Sequence, residues 1–159
     1  MKKIFQLFFL FSAICIPAQD RNALKIVSFT EVEQLQNTLP KPMIIFIYTD
    51  WCKSCHQMEK STFGNEKVIS LLNKSFYFIK LNGEEKKDIQ FLRKTFVFKP
   101  SGSNTGMHQL AKELGRINHR LSYPTTTILD RDFKIVLQLK GLINKTNMSS
   151  ILEATNKHY

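Results

Sequence analysis

Apolar positions switch repeatedly between helical and strand spacing along this chain, and each switch marks an element. Val32, Leu35 and Leu39 recur at helical spacing, and Thr30-Glu31-Val32-Glu33 has capping-box form, so a helix from about Thr30 to Leu39 is predicted. Pro40 and Pro42 end it. Met43 to Tyr48 is an unbroken β-prone run, as expected of a strand covered on both faces. A helix should open at Cys52–Cys55, and Asn65 can cap a second carrying Val68, Ile69, Leu71 and Leu72. Phe76 to Leu81 reads as another buried strand with Lys80 inside it. Lys86 to Lys94 is expected to be helical, and Thr95 to Gly106, rich in turn residues, to be an exposed loop. Met107 to Leu114 gives a short helix stopped by Gly115 in the C′ manner. Thr125–Leu129 and Phe133–Leu139 read as a hairpin around Asp130-Arg131-Asp132, and Thr146 or Asn147 opens a last helix through Ala154. The sum is an α/β fold, a mixed central β-sheet flanked by helices.

The first residues change the picture. Lys2 and Lys3, an apolar run from Ile4 to Ile16, then Pro17 and Ala18 have the three parts of a secretory signal peptide. The division is residues 1–19 as signal peptide, cut after Ala18 or Gln19, and 20–159 as a single domain. The run is short for a bilayer span, so no stable membrane insertion after processing is expected. Cys15 raises the lipoprotein alternative, but Ile14 is a poor residue before such a cysteine. The exported product is expected to be periplasmic or secreted. Net charge is +10, yet the basic residues are scattered rather than striped, so nucleic acid is not an expected partner.

Of 3 cysteines, processing leaves Cys52 and Cys55. A bridge across two residues closes a tiny loop and constrains little of the unfolded chain, so chemistry is the better explanation for it. On a first helical turn, residues three apart face each other, close enough for a disulfide to form and break. Cys52 would lie at the helix N-terminus, where unsatisfied N–H groups and the dipole favour a thiolate, with Lys53 adding positive charge. Cys55, one turn deeper, would resolve the mixed disulfide.

These residues carry a resemblance. Tyr48-Thr49-Asp50-Trp51-Cys52-Lys53-Ser54-Cys55, Gln57 to Phe63, Phe78 to Asn82, Tyr123-Pro124-Thr125 and Gly141 resemble the thioredoxin-like superfamily, most of all the C-terminal thiol-reductase domain of DsbD-type proteins. The resemblance implies a thioredoxin-like fold and a thiol–disulfide oxidoreductase that reduces client disulfides, with Cys52 as nucleophile and Cys55 as resolving thiol. It implies no cofactor beyond the redox-active Cys52–Cys55 pair. Client proteins and a membrane electron donor of DsbD type are the implied partners. Pro124 matches the cis-proline beside the disulfide, Tyr123 the edge a substrate peptide contacts, and Trp51 the flanking aromatic. Thioredoxins keep a buried Asp six residues before the first cysteine; Phe46 stands there. Glu59, one helical turn after Cys55, and Lys80 are the candidates for handling its proton, against the plainer reading of both as half-exposed surface charges.

An oxidase or isomerase would use the same residues. Cys52 to His56 also spells C-x-x-C-H, the c-type haem attachment pattern, but the strands around it suit no small helical cytochrome. A copper or zinc carrier is a further alternative; two cysteines supply half a structural zinc site, and His108 and His119 lack ligand-like spacing. Phe96 and Phe98, in a stretch longer than thioredoxins carry, would form a lip over the site or tuck into the core.

Overall fold

A computed structural model describes residues 23–103 and 105–158. The expected signal peptide and its cleavage site, with Cys15, lie outside them. In order, the elements are α1 (Phe29–Thr38), β1 (Met43–Tyr48), α2 (Lys53–Ser61), α3 (Glu66–Ser75), β2 (Tyr77–Asn82), β3 (Ile89–Phe91), β4 (Lys94–Phe96), β5 (Phe98–Pro100), β6 (Gly106–His108), α4 (Gln109–Gly115), β7 (Thr125–Leu129), β8 (Ile135–Lys140) and α5 (Lys145–His158).

The central sheet has the order β2-β1-β7-β8. β1 runs parallel to β2 and antiparallel to β7, which pairs antiparallel with β8. Beyond β2, Ile26 bridges to Phe78, adding a short parallel contact at that edge. Period-two alternation divides β1 between two cores. Ile44 and Phe46 face the side covered by Met58, Val68, Leu72, Met148 and Leu152 of α2, α3 and α5. Met43, Ile45 and Ile47 face the other side, with Phe29 and Val32 of α1, Phe91 of β3, and Leu110, Ala111 and Leu114 of α4. Both faces being covered explains why β1 carries no polar residue.

Several boundaries and two elements differ from expectation. Ser28, not Thr30, caps α1: its side chain accepts the Glu31 N–H, and the Glu31 carboxylate accepts the Ser28 N–H. Lys86–Lys94 is not helical but the first arm of a β3–β4 hairpin whose turn residues Leu92 and Arg93 have φ of 50° and 61°. Strand geometry lets Phe91 reach Phe29 and Phe133 in edge contacts at 4.9 and 5.5 Å. The stretch expected as a loop forms a second hairpin, β5–β6, with Phe98 opposite His108 and Pro100 opposite Gly106. Phe96 packs against the α1/α4 core, whereas half-buried Phe98 lies under Lys86 Nζ, 3.2 Å from the ring centre. Gly115 is no C′ residue either. It ends α4, followed by extended Arg116, and is small because a Cβ would sit 2.4 Å from Leu121 Cδ1 and 2.7 Å from Ile47 Cδ1. β8 starts at Ile135 rather than Phe133, which has φ 63° in the turn. α5 starts at Lys145 and runs to His158, its first turn held by the Asn144 side chain accepting the Asn147 N–H at 2.9 Å.

Candidate functional site

β1 runs out into Thr49-Asp50-Trp51, and the chain reverses directly into α2. The Cys52 N–H donates to the Thr49 carbonyl at 3.1 Å, and His56 Nε2 lies 2.7 Å from the Asp50 carbonyl oxygen. Cys52 is the N-cap of α2, in extended conformation, and its Sγ accepts the Cys55 N–H at 3.2 Å. A cysteine sulfur thus occupies the place usually taken by a Ser or Asp oxygen. Cys52 and Cys55 are disulfide-bonded with Cα atoms 5.2 Å apart. Cys52 retains 4% exposure and Cys55 none, so only the first sulfur borders solvent. Lys53 is exposed beside it.

Trp51 is 65% exposed, and its Nε1–H donates to Glu84 Oε2 at 3.1 Å. Its ring meets Tyr123 edge-on, centroids 5.8 Å apart. The Tyr123–Pro124 peptide is cis, and the Pro124 carbonyl accepts the Gly141 N–H at 2.8 Å, tying it to the end of β8. Burial, helped by Glu84, pushes the Tyr123 hydroxyl up to about 12. Gly83 makes room for that ring: a Cβ there would lie 2.1 Å from Tyr123 Oη. The Gly83 N–H donates to the Tyr48 carbonyl, and its own carbonyl accepts the His108 N–H, both at 2.7 Å. Sequence reasoning missed Gly83 and Glu84, and weighed His108 only as a metal ligand. Only topology brings the end of β2 beside Trp51.

Below the cysteines, Lys80 Nζ lies 2.6 Å from Glu59 Oε1, with both side chains a little over one-quarter exposed. That carboxylate oxygen is itself shielded from solvent and makes no well-angled hydrogen bond, so the ammonium is its close polar neighbour. Lys80 Nζ also sits 4.5 Å above the Tyr48 ring. Burial pushes the Tyr48 hydroxyl up, with Lys80 opposing. Phe46 pairs in register with Lys80, stacks on Tyr48 and meets Phe63 edge-on. Position 46 is therefore wholly apolar, and the nearest carboxylate on α2 arrives one turn beyond Cys55.

The histidines weighed as ligands lie apart. His108 is fully buried, caps α4 through Nδ1, and is pushed down by that burial. His119 is exposed beside Arg116, 3.4 Å away. Among the described residues no cluster of three or more His, Cys, Asp or Glu side chains could hold a metal ion. Nor is any described helix long and apolar enough to cross a membrane.

The family model for a thioredoxin-like domain matches residues 30–156. The chain belongs to that family. Its resemblance to DsbD-type proteins also holds: it is 40% identical over 55 residues to the thiol:disulfide interchange protein DsbD of Yersinia pestis, across 30% of this chain and 9% of that protein. The chain spans under a tenth of the length of the curated relatives it matches. Among solved structures, a thioredoxin from Thermus thermophilus superposes with a TM-score of 0.59 at 16% identity, covering 83% of this chain and 86% of that one. The C-terminal domain of Neisseria meningitidis DsbD gives 0.52 at 19% identity, covering 77% and 88%. The thioredoxin-like architecture is common to all three; in this chain two hairpins lie between β2 and α4.

Proposed function

We propose that this protein is an exported thiol–disulfide oxidoreductase that reduces disulfides in client proteins, itself re-reduced by a membrane electron carrier of DsbD type. The observation that carries the proposal is the placement of Cys52: N-cap of α2, its sulfur taking the Cys55 N–H, bordering solvent beside Trp51 and Tyr123-Pro124. In the reduced protein the same N–H and the helix dipole favour the Cys52 thiolate.

That thiolate attacks one sulfur of a client disulfide. A protein–client disulfide forms and the client's other sulfur leaves as thiolate, taking a proton from solvent. Cys55 then gives up its proton and attacks Cys52 Sγ, releasing the second client thiol and leaving the Cys52–Cys55 disulfide. Client gains two electrons and two protons; the dithiol loses them. Glu59 is the acceptor for the Cys55 proton, its carboxylate positioned by the ion pair with Lys80. The Tyr123 backbone N–H and carbonyl have no hydrogen-bond partner among the described residues, which supports an extended client segment pairing there.

Equilibration against glutathione buffers tests the direction. Reduction as the physiological role predicts a potential near thioredoxin's, about −270 mV; a value near that of strong periplasmic oxidants, about −120 mV, overturns it.

A further inference from the structure

The segment just before the cis-proline carries a feature that disulfide exchange alone does not require. Arg116 to Ser122 leaves α4 and reverses through Asn118 and His119, with φ of 51° and 65°. Two backbone hydrogen bonds between Ile117 and Arg120, 2.9 and 3.1 Å, close the reversal. Left-handed residues at both central positions make the same tight two-residue turn as Leu92-Arg93, and Asn and His enter that region more readily than most side chains. The reversal brings Arg120 to a cleft of about 480 Å³ that Lys140, the last residue of β8, also lines, together with Ile117, Asn118 and Ser122. Arg120, Ser122 and Lys140 are exposed, and among the described residues no acidic side chain lines the cleft. Neither cation has a carboxylate within ion-pair distance among the described residues. Lys140 stays beside the cis-proline because Thr125 is its register partner and the following Gly141 N–H holds the Pro124 carbonyl.

We infer that this cleft binds an acidic side chain of the client, two or three residues from the client cysteine that Cys52 attacks. The inference rests on the oxidoreductase reading, because it needs an extended segment paired along Ser122-Tyr123. At roughly 3.3 Å per residue, a segment whose cysteine lies at the disulfide passes the Arg120–Lys140 cleft within a few positions. Two unpaired cations flanking one cleft complement a carboxylate, and disfavour a lysine at that position.

The test uses symmetrical disulfide-linked peptide dimers with Glu, Gln or Lys placed two or three residues before or after the cysteine. Dithiothreitol regenerates the mature protein, and released peptide monomer is counted by chromatography above the rate without protein. The expected result is a kcat/KM about five-fold higher for Glu than for Lys dimers, expressed in KM, on one side of the cysteine only, and shrinking at high salt. The double variant R120Q/K140Q abolishes the preference, whereas K99Q/K112Q, which removes the same charge from the β5–β6 side, keeps it. Equal rates for Glu and Lys dimers in the wild type, or a preference that survives R120Q/K140Q, overturn the inference. Hydroxyethyl disulfide separates the two failures. Its reduction alongside charge-blind peptides sinks the acidic cleft alone, and no reduction of it or of any dimer sinks the oxidoreductase reading and the inference with it.

Discussion

A buried thiol can act as a nucleophile only if some nearby base takes its proton, and Phe46 leaves that base to come from α2. Glu59 is placed one turn from Cys55, held by Lys80 at 2.6 Å. Glu59→Gln is expected to slow release of client from the mixed disulfide about 10²-fold, with formation of that adduct affected far less; stopped-flow fluorescence of Trp51 separates the two phases. Equal slowing of both phases would assign Glu59 a merely structural part. His108 makes a different prediction. Burial holds its imidazole neutral in the folded protein, with Glu85 and Asp88 opposing in part. The unfolded chain therefore binds an extra proton as pH falls below about 6.5, and stability is lost from pH 7 toward pH 5. His108→Gln should flatten that dependence, read as melting temperature across the same range.

At the scale of elements, legibility followed burial. Met43–Tyr48 and Thr125–Leu129 were found to the residue because a strand covered on both faces leaves an unbroken apolar run. Ile89, Phe91 and Leu92 satisfy either period, and only the contact of Phe91 with Phe29 and Phe133 decides for a strand. The cysteines and Tyr123-Pro124 were legible because each is a local motif. Gly83 and Glu84 were not, because their meaning depends on which strand lies beside β1. Two substitutions check the element account by urea denaturation. Ser28→Ala, which removes the cap of α1, should cost about 1 kcal/mol. Gly115→Ala should cost about 1–3 kcal/mol, since Leu121 can swing aside but fully buried Ile47 cannot.

For the whole molecule, the sheet and its two cores serve to hold one reactive turn at the end of β1 against the cis-proline at the start of β7. The β5–β6 hairpin meets the loop after β2 through the His108 N–H, which donates to the Gly83 carbonyl at 2.7 Å, at the glycine that makes room for the Tyr123 ring. The central claim is that Cys52 attacks and Cys55 resolves. Mass analysis of pre-reduced Cys55→Ser protein incubated with insulin free of other thiols, beside wild-type turnover of insulin with a supplied dithiol, tests it most directly. The account predicts a covalent adduct through Cys52, absent from Cys52→Ser, and cleavage of the inter-chain bridges by the wild type. An adduct through Cys55 in the Cys52→Ser protein alone, or a wild type that leaves insulin intact, would contradict it.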